Sequence, residues 1–131
     1  MTAEGLLMRM YLGWNRDVAA LGDGAEYLTT QLPRWESSAP AGERDCYYWY
    51  YATQFMFQVQ GEPWQRWNAR LQPMLLERQE QTGPLAGSWD PLGAAPDRWG
   101  SHAGRIYVTT LHLLMLEVYY RYLPLYQDFQ Q

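Results

Sequence analysis

Residues 45–60 read DCYYWYYATQFMFQVQ, and this stretch decides the fold. From Cys46 to Gln60 it contains neither Gly nor Pro. Tyr and Trp favour β structure, but ordinary strands do not run this long without a turn signal, so the length predicts a helix. Asp45 stands at the N-cap, where a carboxylate accepts from the free backbone N–H groups of the first turn. Gly61 stands where the helix should end. Five consecutive aromatics, Tyr47 to Tyr51, go right round a helix and therefore serve more than one face. Tyr47, Tyr51, Gln54 and Gln58 share one face at helical spacing, and two Gln beyond two Tyr suggest a partly wet wall.

Outward from this helix the chain reads as four more. Ala3 to Trp14 places Leu6, Leu7, Met10, Tyr11 and Trp14 on one apolar face. Gly13 and the cluster Gly22-Asp23-Gly24 read as its exit and the following loop. A second helix is expected over Gly24 to Trp35, limited or kinked by Pro33. Beyond Gly61, Glu62-Pro63 opens a helix with a stripe of Trp64, Trp67, Leu71, Met74 and Leu75. Pro73 inside that stripe predicts a kink or break near Gln72. Thr82 to Ala103, rich in Gly and Pro, reads as a long loop whose length invites a specific explanation. The last helix is expected over Gly104 to Leu123, where Pro124 stops it. Arg105 at its start is poorly placed for the helix dipole, so a carboxylate or carbonyl partner is expected, with Asp90 or Asp97 of the loop as candidates. The fold class is all-α, a single domain over residues 1–131 with about five helices.

Composition narrows the partners. The chain has 131 residues, 47% of them hydrophobic, with 7 Trp, 11 Tyr and 3 Phe. Its ten basic residues are all Arg, against 14 acids, for a net charge of −4. That balance argues against a groove that tracks phosphates, so no nucleic-acid partner is expected. One Cys, Cys46, excludes an internal disulfide and a Cys-rich zinc site. No apolar run approaches the roughly 18 residues of a membrane span. No basic leader followed by a long apolar stretch is visible, which suits a cytoplasmic protein if Met1 is the native start.

Three helices align with one another. Thr2-Ala3 with Leu6-Leu7 matches Ala52-Thr53 with Met56-Phe57, and again Thr109-Thr110 with Leu113-Leu114. Self-similarity at such periods indicates stacked helix pairs. Gln79 or Gln81, followed by Gly87-Ser88-Trp89, resembles the QW motif of the squalene–hopene cyclase-like repeats, with Gly83 an alternative match. The runs 45–53, 104–107 and 116–124 look like the same group, the prenyltransferase and squalene-oxidase repeat proteins of large bacterial chains. The resemblance covers about residues 1 to 124.

What the resemblance implies is an α/α toroid, with helices near 2–14, 45–60 and 104–123 on the inner wall and those near 24–35 and 62–80 outside. Five helices make an incomplete toroid, similar to the C-terminal part of a longer one. The QW residues Gln79, Gly87 and Trp89 are then structural: the Gln amide satisfies backbone groups at a helix start, and the Trp ring packs against the next repeat.

The chemistry of that family is not matched. Its cyclases protonate an alkene with an Asp-x-Asp-Asp motif, and the six Asp here are isolated from one another. Its protein prenyltransferases hold zinc with Asp, Cys and His, the first two as Asp-x-Cys, whereas Asp45 and Cys46 are adjacent. Asp45 is better read as the cap, Cys46 as a small apolar residue, and His112 as a hydrogen-bonded residue at a helix contact. No catalytic residue, metal ligand or cofactor is therefore expected. The functional expectation is a non-catalytic structural or protein-interaction module. It would self-associate or meet a protein partner through its terminal helices. The alternative is an isoprenoid-type hydrophobic ligand held by Tyr47, Tyr51, Gln54 and Gln58, or a cyclase-like enzyme active only with further N-terminal repeats.

Overall fold

The computed structural model describes residues 1–36 and 44–121. Six helices follow in order: α1 (Thr2–Tyr11), α2 (Ala19–Thr29), α3 (Cys46–Val59), α4 (Gly61–Glu77), α5 (Gly100–Leu116) and the single turn α6 (Val118–Arg121). There is no strand among the described residues. The architecture is all-α. Helix α3 is the centre: α1 and α5 flank it with the most extensive packing, while α2 and α4 pack on it and on each other.

Helix α3 begins as its sequence predicts, with Asp45 Oδ1 accepting from the Tyr48 backbone N–H at 3.0 Å. From Ala52 to Gln58 every residue is buried. A helix enclosed on nearly all sides must be apolar nearly all round, which explains its unbroken aromatic and aliphatic run. Its buried Thr53 hydroxyl donates to the Trp49 carbonyl at 2.6 Å and accepts from the Trp67 indole N–H of α4 at 3.0 Å. The junction of α3 and α4 turns on Gln60 and Gly61, both at positive φ (63° and 66°).

Three boundaries differ from expectation. Gly22-Asp23-Gly24 lies inside α2, not in a loop. A Cβ on Gly24 would come within 2.6 Å of the Leu6 side chain, so this glycine lets α2 approach α1 closely. The helix then stops at Thr29, short of Trp35. The Thr29 and Thr30 hydroxyls donate to the carbonyls of Glu26 and Tyr27, both at 2.7 Å, and so compete for the groups that would continue the helix. Helix α4 runs unbroken through Pro73 to Glu77. Pro73 lies on the exposed side, and the buried stripe from Trp64 to Leu75 holds the helix on both sides of it.

The last helix starts earlier than expected and is interrupted by Gly104 (φ 73°, ψ −174°), so one turn from Gly100 precedes the main run. It gives way to α6 at Glu117, and its expected end at Leu123 and Pro124 lies outside the described residues. Tyr119 of α6 meets Phe57 and Trp64 edge-on, each at 5.5 Å. The third copy of the repeat does not keep its register. Beyond Gly104, Val108, His112 and Met115 are the buried residues of α5, while Thr110 and Leu113 are exposed. An edge helix covered mainly by α3 has only one face to bury, and that face is not the one the repeat assigns.

Candidate functional site

The face of α3 formed by Tyr47, Tyr51, Gln54 and Gln58 changes character along its length. Tyr47 is 37% exposed and Tyr51 half-buried, whereas Gln54 and Gln58 are buried. The wall is open at its tyrosine end, and the two Gln are not the wet positions their side chains suggest. The Tyr47 and Tyr51 rings meet edge to face at 4.8 Å, and Tyr50 meets Tyr51 at 5.2 Å. The Tyr11 hydroxyl of α1 donates to Gln54 Oε1 at 3.5 Å, tying the face to its neighbour helix. Burial, then a hydrogen bond with Tyr47, raises the Tyr51 hydroxyl above the usual tyrosine pKa. The raised Tyr51 hydroxyl stays protonated near neutral pH, so it offers this face a neutral hydrogen bond beside its aromatic surface.

Trp89 is completely buried although it stands in the long loop. Its indole N–H donates to the Leu75 carbonyl near the end of α4 at 2.8 Å, its backbone N–H donates to Thr109 Oγ1, and its ring meets His112 edge-on at 5.1 Å. The ring therefore joins α4 to α5. The Gln79 amide donates to the Gly87 carbonyl at 3.0 Å. That contact closes the loop on itself, together with the backbone pairs Glu80 N to Ser88 O (2.9 Å) and Gly87 N to Glu80 O (2.7 Å). It does not satisfy a helix start. Gly87 itself sits at φ 84°, which a side chain disfavours. The long segment is thus an ordered brace rather than a structureless loop. Gly100 shows how tightly it packs: a Cβ there would come within 2.2 Å of the Pro91 carbonyl oxygen. Arg105 meets Asp90 Oδ1 at 3.5 Å and donates to Ser88 Oγ at 3.1 Å, so Asp90 is its carboxylate partner.

Asp97 is engaged elsewhere, in a buried polar centre that the spacing of residues does not reveal. Its Oδ2 accepts from the Cys46 backbone N–H and its Oδ1 from that of Trp99, both at 2.9 Å. Burial, with Asp97 beside it, pushes the Cys46 thiol far above the usual range, which makes it inert. Arg44 is 3% exposed, has its guanidinium carbon over the Trp35 ring at 3.6 Å and donates from Nη1 to the Ala95 carbonyl. Desolvation lowers its pKa to about 10. His112 is fully buried among Trp35, Trp49 and Trp89, and neither ring nitrogen has a partner among the described residues. It is not the hydrogen-bonded histidine expected at a helix contact. Burial first, and the charge of Arg44 second, depress its pKa to about 3. These residues come from the start of α3, the long loop and the middle of α5. Only the third dimension joins them, and isolated Arg and Asp residues in loops carry no periodic signal.

Asp45 caps α3 and meets Arg98 at 3.7 Å. Among the described residues no group of three His, Cys, Asp or Glu is arranged to hold a metal ion, and no helix is long and apolar enough to cross a membrane.

Large apolar side chains remain exposed at both flanks of α3's row. At α1 these are Met8 and the C-cap Leu12; on α5 they are Ile106, 85% exposed, and Leu113, with Leu85 of the loop near Ile106. Leu85, Ser88, Arg105, Ile106 and Thr109 line a shallow hollow of about 300 Å³. The chain matches no protein-family model, no curated protein and no solved structure.

Proposed function

We propose that the chain is a non-catalytic structural or protein-interaction module of α/α helix pairs, similar in plan to the squalene-cyclase-like repeat proteins. In this reading α1, α3 and α5 are inner helices, α2 and α4 are outer ones, and Gln79, Gly87 and Trp89 form the brace between repeats. The observation that carries it is the apolar surface left on the two flanking helices. Ile106 and Leu113 project from α5 seven residues apart, hence on one side, and Leu12 and Met8 project from α1. Exposed apolar side chains grouped on one helix side are the kind of surface that marks association.

The test is substitution at positions too exposed to matter for folding. Ile106→Glu and Leu12→Glu should each leave helicity and thermal stability unchanged while lowering the mass measured by light scattering at high concentration. Variants that keep the mass of the parent chain would remove these flanks from any interface.

A second reading rests on the open tyrosine end of α3. Tyr47, Tyr50 and Tyr51 offer aromatic faces suited to a hydrophobic ligand of isoprenoid type, with Gln54 and Gln58 behind them. Quenching of protein fluorescence by a squalene analogue, lost in Tyr47→Ala, would support it. Unchanged quenching in that variant would count against it.

A further inference from the structure

Helices α1, α3 and α5 run in the same direction. Glu4 lies near enough to Tyr48 to raise its hydroxyl pKa, and Tyr11 reaches Gln54, so α1 and α3 advance together. Trp49 meets His112 at 6.2 Å, and Phe57 meets Tyr119 just beyond α5 at 5.5 Å, so α5 advances with them. The three helices form a parallel row with α3 in the middle and two open ends.

The two ends match one another. At the α5 end Ile106, Thr110, Leu113 and Glu117 are exposed and recur at helical spacing, hence on one side. At the α1 end Gly5, Arg9 and Leu12 recur in the same way. An added Cβ on Gly5 would meet only the tip of the Arg9 side chain, so another helix can come close there. The heights correspond as well. Tyr11 is level with Gln54, and Trp49 with His112. Carried across the row, those levels put Gly5 opposite Thr110 and Leu111. They put Arg9 about 3 Å along the axis from Glu117. Both of these side chains are exposed and their charges are opposite; Arg9 now rests on the Gly5 carbonyl at 3.2 Å and beside Trp14. A surface that complements a different surface of the same molecule makes a heterologous contact between copies.

We propose that the chain binds a second copy of itself head to tail, with α1 of one copy parallel to α5 of the other, Gly5 against Thr110 and Arg9 paired with Glu117 across the contact. This rests on the reading of the two flanks as association surfaces, and adds to it the partner, the direction and the register. The stem of Arg9 covers Leu113 on its way to Glu117, which removes apolar surface from water while the charged head stays at the rim. Repeated at the opposite end of each copy, the contact continues the parallel row and closes once the rotation completes a ring.

Charge reversal in the full chain tests the pairing. Arg9→Glu and Glu117→Arg each set like charges across every contact, and each should dissociate at a concentration about tenfold or more above the parent's in light scattering. The double variant restores an opposite pair at every contact and should associate as the parent does. Cross-linking tests the register. Chains with Gly5→Cys, mixed with chains carrying Thr110→Cys, should form a disulfide-linked pair on oxidation in air, while neither variant links to itself. The native Cys46 is buried, and burial pushes its thiol up, so it stays out of the reaction. The proposal is overturned if Thr110→Cys links to itself, which would set α5 against α5. It is also overturned if the double variant stays as dissociated as Glu117→Arg alone. Either result leaves the flanks as association surfaces of another geometry. A parent chain that remains at 15.4 kDa at every concentration removes the second copy as partner and, with it, self-association through the flanks.

Discussion

At the scale of single residues, polar groups in this protein are either tied down or left conspicuously open. Asp45, Thr53 and Asp97 each satisfy a named backbone or indole N–H; His112 satisfies none. Trp89 carries the largest single share of the loop's attachment, since it is fully buried and its indole N–H is paired. Trp89→Ala should cost about 3–5 kcal/mol in urea unfolding, the range for deleting a large buried aromatic. A loss below about 1 kcal/mol, typical of surface positions, would show that the brace contributes little.

His112 gives a pH signature of definite sign. Its folded pKa of about 3 lies below the ordinary 6.5, so below pH 6.5 the unfolded chain binds a proton that the folded chain refuses. Stability is complete above that pH and falls as acid is added down to about pH 3. Between neutrality and pH 4.5 the loss should be about 2–3 kcal/mol. His112→Phe keeps an aromatic ring in the cage and should lose that much less over the same interval. Equal slopes in the two proteins would contradict the burial of a neutral imidazole.

At the scale of elements, legibility followed periodicity. The cap at Asp45, the run of α3 and the stripe of α4 were all readable, because burial on regular faces imposes 3.6-residue spacing. The start of α2 was not. Two glycines read as a loop, yet Gly24 serves close packing on Leu6, a constraint set by a helix eighteen residues earlier in sequence. The long loop was recognised as unusual, but its order comes from Trp89 and Asp97 reaching distant partners. The Arg44–His112 centre was invisible for the same reason.

The glycines provide a paired test of this view. Gly22 is exposed within α2 with nothing within 4 Å of an added Cβ, so Gly22→Ala should stabilise by about 0.5–1 kcal/mol through helix propensity alone. Gly100 faces the Pro91 carbonyl at 2.2 Å, a backbone atom that cannot swing aside, so Gly100→Ala should destabilise by about 1–3 kcal/mol. Equal effects of the two substitutions in thermal unfolding would show that the loop is not packed against the start of α5.

At the scale of the whole molecule, the central claim is that the flanking helices present apolar surface meant for another protein surface. Ile106 and Leu113 on α5, and Met8 and Leu12 on α1, are the residues concerned. A closed assembly in which the α1 flank of one copy meets the α5 flank of the next uses both faces, so Ile106→Glu and Leu12→Glu should each lower the mass. Light scattering of the unmodified chain across a wide concentration range tests the claim most directly. The account predicts a mass that rises from 15.4 kDa to a small whole multiple of it. A folded chain that stays at 15.4 kDa at the highest attainable concentration would contradict self-association through these faces.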